Sequence, residues 1–146
     1  MARKIYLASS WKNADLVRNI AKYLEKHGFE VDAFCCSTDS RYSFHWSESV
    51  DTEEKLLEYD ALSFWGDERV RRAFREDKKW LDWADTVVMV MPCGRSSHLE
   101  GGYGKGQGKR LFMYGEFAKG EFDVMYGFAD GLFRTNEIDK LMDALL

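Results

Sequence analysis

The stretch Trp80 to Lys109, WLDWADTVVMVMPCGRSSHLEGGYGKGQGK, decides the fold. Within it Val87-Val88-Met89-Val90-Met91 is an unbroken apolar run that stops at Pro92. Continuous rather than alternating apolar residues suit a strand covered by helices on both faces. A short polar loop follows, and then one carboxylate, Glu100, enters a run with glycine at 101, 102, 104, 106 and 108. A buried strand ending in a polar loop and a lone acid is the layout of a site at the carboxyl edge of an α/β sheet.

Outward from that stretch, Lys4 to Ala8 predicts a short buried strand, broken by Ser9 and Ser10. Asn13 opens a helix whose Leu16, Ile20, Tyr23 and Leu24 share one face, and Gly28 closes it. Phe29 to Cys35 alternates apolar and polar residues, the pattern of a strand with one wet face. From Cys36 to Gly66 the periodicity dissolves, but Tyr42, Phe44, Trp46 and Trp65 argue against disorder. The segment reads as a lid, or as an insertion that packs on a neighbour. Asp67 to Ala84 predicts the longest helix, with Val70, Phe74, Asp77, Leu81 and Ala84 on one stripe. Asp77 interrupts that stripe, either as an acid paired with Lys78 or Arg75 or as a functional group. Arg110 to Tyr114 is the next strand, and a short helix is placed near Val124 to Phe128. Leu132 to Thr135 forms a last strand. Asn136 then caps a terminal helix, Glu137 to Leu145, with Ile138, Leu141 and Met142 inward. This alternation predicts one α/β domain over residues 1–146, flavodoxin-like or Rossmann-like. Its five parallel strands take the order 2-1-3-4-5, with helices on both faces.

Composition narrows the partners. At 146 residues with 45% hydrophobic side chains the chain can build a genuine core. A net charge of -4 argues against a phosphate-backbone binder, so no nucleic acid is expected. No apolar run approaches membrane-spanning length and the start shows no secretion signal, so no membrane partner is expected either. Three sparse cysteines, Cys35, Cys36 and Cys93, two of them adjacent, fit a reduced, cytoplasmic setting.

The glycine run is not a nucleotide loop. A P-loop needs glycine five residues before Gly108-Lys109, where Tyr103 stands, and Ser or Thr afterwards, where Arg110 stands. The dinucleotide fingerprint fails because Gln107 occupies its last glycine position. Five glycines in a helix cost several kcal/mol, about 1 each relative to alanine, which close packing against the sheet or another subunit can offset. Ser96, Ser97 and His98 lack the G-x-S-x-G elbow of a serine nucleophile, and Cys93 is most simply a small hydrophobe. Glu100 has two readings: a first-turn helix acid, or a carboxylate held ionised by the helix N-terminus and aimed at a sugar carbon.

Taken together these residues resemble the nucleoside 2-deoxyribosyltransferases and the related deoxynucleoside 5′-monophosphate N-hydrolases, over most of the chain. KIYLASSW, Lys4 to Trp11, looks like that family's first strand and substrate loop. Asp77, eight residues before Asp85, stands where the family has a base-contacting acid. MPCGRSSHLEGGYGKGQGK looks like its strand, loop and nucleophile helix. EFDVMYGFADG looks like the segment that crosses to a neighbouring subunit. The resemblance implies a ping-pong transfer of deoxyribose between bases, with Glu100 as nucleophile, Tyr6 holding it, and Asp77 on the base. Ser9, Trp11 and Trp46 would line the substrate, the two tryptophans offering flat faces. Asp123 and Met125 of a neighbour would meet the sugar's 5′ end, in a homodimer or larger homo-oligomer. The substrates would be a nucleoside or nucleotide and a free base, with no cofactor and no metal. The sequence departs from the family at Gly94, where a second base-contacting acid is usual, and His98 replaces a small residue. Arg95, Ser96 and Ser97 suit a phosphate pocket, which keeps open hydrolysis of nucleoside 5′-monophosphates; a nucleotide-sensing module without turnover is a further alternative.

Overall fold

The computed structural model describes residues 3–36, 41–45, 47 and 52–146. Five strands form one parallel sheet in the order β2-β1-β3-β4-β5: β1 Lys4–Ala8, β2 Glu30–Ala33, β3 Thr86–Met91, β4 Arg110–Gly115 and β5 Gly131–Arg134. Helices α1 Ala14–Lys26, α2 Glu53–Leu56, α3 Ala61–Trp65, α4 Glu68–Trp83, α5 Arg95–Gly106 and α6 Ile138–Leu145 connect or flank them. The expected order of strands is the observed one.

Strand alternation divides the core in two. Ile5, Leu7, Val88, Val90, Phe112 and Tyr114 meet α1 and α6, while Tyr6, Ala8, Val87, Met89, Leu111 and Met113 meet α4 and α5. β3 is buried at every position because it lies at the centre of the sheet and both layers cover it. Neighbours in a parallel pair point to the same face, and Tyr6 is in register with Asp32 on β2. Asp32 therefore belongs to the α4 and α5 side. It is buried, so β2 lacks the fully wet face its alternation predicts.

Other expectations shift by a residue or a turn. The buried stripe of α1 is Val17, Ile20, Ala21 and Leu24, one step round from Leu16 and Tyr23. Gly28 takes a φ of +90° beyond the C-cap, which favours glycine there. On α4 only Leu81 is fully buried; Phe74 is half exposed and meets the edge of Trp65 on α3. A 3-10 turn over Thr135–Glu137 precedes α6, so Asn136 lies in that turn and does not cap the helix. The segment 36–66 carries two short helices among its described residues. Asp60 caps α3 through the Ser63 amide at 2.8 Å.

Candidate active site

The site is assembled where α5 passes over the carboxyl half of β1 and β3. Two glycines set how close α5 comes. A Cβ on Gly101 would lie 2.6 Å from Met89 Sδ, and one on Gly104 would lie 2.7 Å from Val87 Cγ2. Gly102 and Gly106 face open space, and Gly108 serves a positive φ of +82° after the helix. The glycine run thus has two purposes, and close packing is served by only two of its members.

Glu100 immediately precedes Gly101, and the close approach lets its carboxyl reach the sheet. There it accepts a short hydrogen bond from the Tyr6 hydroxyl. Glu100 is the sixth residue of α5, past the first turn, where the helix N-terminus has little effect on it. Burial dominates instead, aided by the negative charges of Asp77 and Asp32, and pushes Glu100 up to about 7 against the opposing Tyr6 hydrogen bond and Arg41 charge. The expectation that the helix holds this carboxylate ionised is therefore corrected: Glu100 is poised at neutral pH. Tyr6, 1% exposed, is raised well above its usual phenol value by burial and by the Glu100 charge.

Asp77 reaches the same cluster from α4. Its partner is neither Lys78 nor Arg75 but Arg41, whose Nη2 lies 3.0 Å from Asp77 Oδ1. The same guanidinium grips Asp32, Nε to Oδ1 at 3.0 Å and Nη2 to Oδ2 at 3.2 Å. Burial raises the Asp77 carboxyl and pushes Asp32 up to about 6, and Arg41 opposes both. For Arg41 burial works against the charge, but Asp32 and Asp77 outweigh it and raise the guanidinium. Tyr6, Glu100 and Asp77 are thus brought together, and the sequence reading missed Arg41 and Asp32. The available signal was Asp32, an acid in register with Tyr6 near the end of a strand.

The remaining expected residues are not part of this cluster. Ser9 donates to the Val90 carbonyl at 2.8 Å, and Asn13 donates to the Pro92 carbonyl at 2.5 Å, which ties the loop after β1 to the end of β3. Trp11 donates from Nε1 to the Phe44 carbonyl at 3.3 Å and stands edge-on to Phe34 and His45. Trp46 lies outside the described residues. Gly94 is the N-cap of α5, and a side chain there would meet open space. Ser96 is exposed, whereas Ser97 is buried with a hydroxyl that has no oxygen or nitrogen partner among the described residues. An open depression lies beside them, lined by Cys93, Gly94, Arg95, His98 and Leu99. Burial pushes the Cys93 thiol up, which does not suit a nucleophile. Asp123 caps a 3-10 turn by accepting from the Met125 amide at 2.8 Å. Asp123 and Met125 are both exposed and make no hydrogen bond to the acid cluster. Tyr126 of that turn joins it to α5, stacking on His98 with its hydroxyl 3.1 Å from Nε2.

No protein-family model matches the chain, and no curated protein matches it by sequence. Solved structures do match its fold. A 2-deoxyribosyltransferase from Bacillus psychrosaccharolyticus is similar at a TM-score of 0.64 and 19% identity, over 93% of this chain and 90% of that one. The CMP N-glycosidase BcmB of Clostridium botulinum is similar at 0.54 and 16% identity, over 99% and 100%. The Vibrio cholerae chemotaxis protein CheY4 is similar at 0.52 and 13% identity, over 100% and 99%. At these identities the likeness is one of fold.

Proposed function

We propose that this protein cleaves the N-glycosidic bond of 2′-deoxynucleosides and transfers the deoxyribose to another base. The observation that carries the reading is the Glu100 carboxyl, sheltered and held by Tyr6, with Asp77 beside it. In the first step a Glu100 carboxylate oxygen bonds to C1′ while the C1′–N bond breaks, its electron pair leaving with the base. Asp77 faces the base and shares a proton with the departing nitrogen, which its raised proton affinity favours. In the second step a new base nitrogen attacks C1′ and Glu100 leaves; water in that role gives hydrolysis. Two displacements retain configuration, as in retaining glycosidases. Trp11 offers a flat face for the base, and Asp123 of a second copy accepts the 5′-hydroxyl. Similarity of fold to a deoxyribosyltransferase and to a CMP N-glycosidase supports N-glycosidic chemistry of this class.

One feature favours a second reading, hydrolysis of nucleoside 5′-monophosphates. The first-turn amides of Arg95, Ser96 and Ser97 lack intrahelical partners by geometry, and the buried Ser97 hydroxyl beside them has no oxygen or nitrogen partner among the described residues, with the Cys93 thiol its neighbour. Gly94 also supplies no second acid to hold an acceptor base. Both readings are tested by chromatography of deoxynucleosides and their 5′-monophosphates, incubated with and without a free acceptor base. Exchange between deoxyinosine and adenine, abolished in Glu100→Ala and Glu100→Gln, is the expected result. Exchange retained in Glu100→Ala removes the nucleophile. Base release that is faster on monophosphates and indifferent to acceptor replaces the transferase with the hydrolase.

A further inference from the structure

We propose that Arg41 is a positioning residue of this site: its single guanidinium, divided between Asp32 and Asp77, fixes the Asp77 carboxylate and anchors residues 41–45 across the end of the sheet. The inference deepens the proposed glycosyl chemistry and rests on it for the roles of Asp77 and Glu100. Arg41 is 4% exposed, and four of its five N–H donors have partners in the protein: Nε on Asp32, Nη2 on both Asp32 and Asp77, Nη1 on the Tyr42 carbonyl at 2.9 Å. A group so engaged orients its neighbours and does not read a base directly. Its own segment is pinned on three sides. The Tyr42 amide donates to Glu76 Oε1 at 3.3 Å, the Arg72 guanidinium lies 4.0 Å over the Tyr42 ring, and the Ser43 hydroxyl donates to the Phe34 carbonyl. The Phe44 carbonyl in turn holds the Trp11 indole.

The charge arrangement makes this anchor more than structural. The groups facing it are Tyr6 from β1, Asp32 from β2, Glu76 and Asp77 from α4 and Glu100 from α5. Three carboxyls, those of the buried Asp32 and the part-buried Asp77 and Glu100, surround the buried Arg41 cation. Such a cluster titrates as a unit, so the division of the Arg41 charge sets how much proton Asp77 and Glu100 hold at neutral pH. Losing the cation leaves Asp77 and Glu100 more protonated, and losing Asp32 gives Asp77 an undivided counter-charge.

The test is a carboxyl-carbon NMR titration of the free protein, wild type against Arg41→Met, Arg41→Lys and Asp32→Asn. The Asp77 midpoint moves up in Arg41→Met, Glu100 follows by less, and Arg41→Lys recovers part of the shift. In Asp32→Asn both midpoints move down. The acid limb of base release moves with them, upward by about one pH unit in Arg41→Met and downward in Asp32→Asn. Unmoved midpoints, or shifts of the same sign in Arg41→Met and Asp32→Asn, overturn the inference. If Arg41→Met does not fold, the sign in Asp32→Asn decides alone. Midpoints that move in a protein that releases no base uphold Arg41 and refute the reaction. Base release with unmoved midpoints does the reverse.

Discussion

Glu100 is a carboxyl placed where its charge is least welcome, and that cost has a measurable sign. Its pKa is about 7 folded against an ordinary 4.5, so the native chain binds this proton more tightly than the unfolded chain does. The favourable contribution is full below pH 4.5 and is lost as pH rises through 7. Glutamine mimics the protonated form. Glu100→Gln is therefore expected to leave stability nearly unchanged at pH 4 and to raise it by about 3 kcal/mol at pH 8, at about 1.4 kcal/mol per pH unit. Denaturant unfolding at the two pH values measures this, and equal effects at both would contradict the burial account. With Glu100 as the proposed nucleophile, catalysis is expected to follow the opposite sign: base release by the wild type should fall as pH drops below about 7, because the attacking form is the carboxylate.

Helix α5 shows how an element serves the site through the residues that seat it on the sheet. A Cβ on Gly104 would meet the stiff Val87 side chain at 2.7 Å, whereas one on Gly102 would meet open space. Gly104→Ala is expected to destabilise by about 1–2 kcal/mol, because overpacking outweighs its better helix propensity. By lifting α5 from β3 it also weakens the Tyr6 hold on Glu100 and lowers base release. Gly102→Ala gains propensity without a clash and stabilises by about 0.5–1 kcal/mol. Thermal melts of the pair check the contrast, and a neutral Gly104→Ala would show that α5 can shift freely. Helix α4 contributes differently, since its Asp77 is oriented from β2 and residue 41 and not by its own neighbours.

Among the described residues, the segment 122–132 leaves several apolar side chains uncovered by the core. Phe122 and Val124 are 84% and 86% exposed, with Met125, Phe128 and Leu132 half exposed. Apolar side chains exposed so close together in the chain suit an interaction surface. Sharing of Asp123 between copies, as proposed above, buries it. Val124→Asp is then expected to yield monomers in sedimentation velocity and to lose base release in step with dissociation. A wild type that is monomeric at micromolar concentration would remove the neighbour's Asp123 from the reaction. No helix among the described residues is long and apolar enough to cross a membrane.

The sequence by itself determined the strand order, the boundaries of β1, the apolar run of β3 and the existence of α5. These follow from local patterns: a continuous apolar run demands cover on both faces, and strand–helix alternation forces parallel pairing. It also singled out Tyr6, Asp77 and Glu100, through resemblance and through an acid interrupting an apolar stripe. Only the tertiary structure decided what those groups feel. Glu100 is governed by burial and not by the helix end, Gly101 and Gly104 differ from Gly102 by what lies opposite, and Asp77 answers to Arg41, 36 residues earlier in the numbering. Proton affinity and packing depend on atoms brought close in space, and strand register, which placed Asp32 beside Tyr6, is where the chain converts sequence into that proximity.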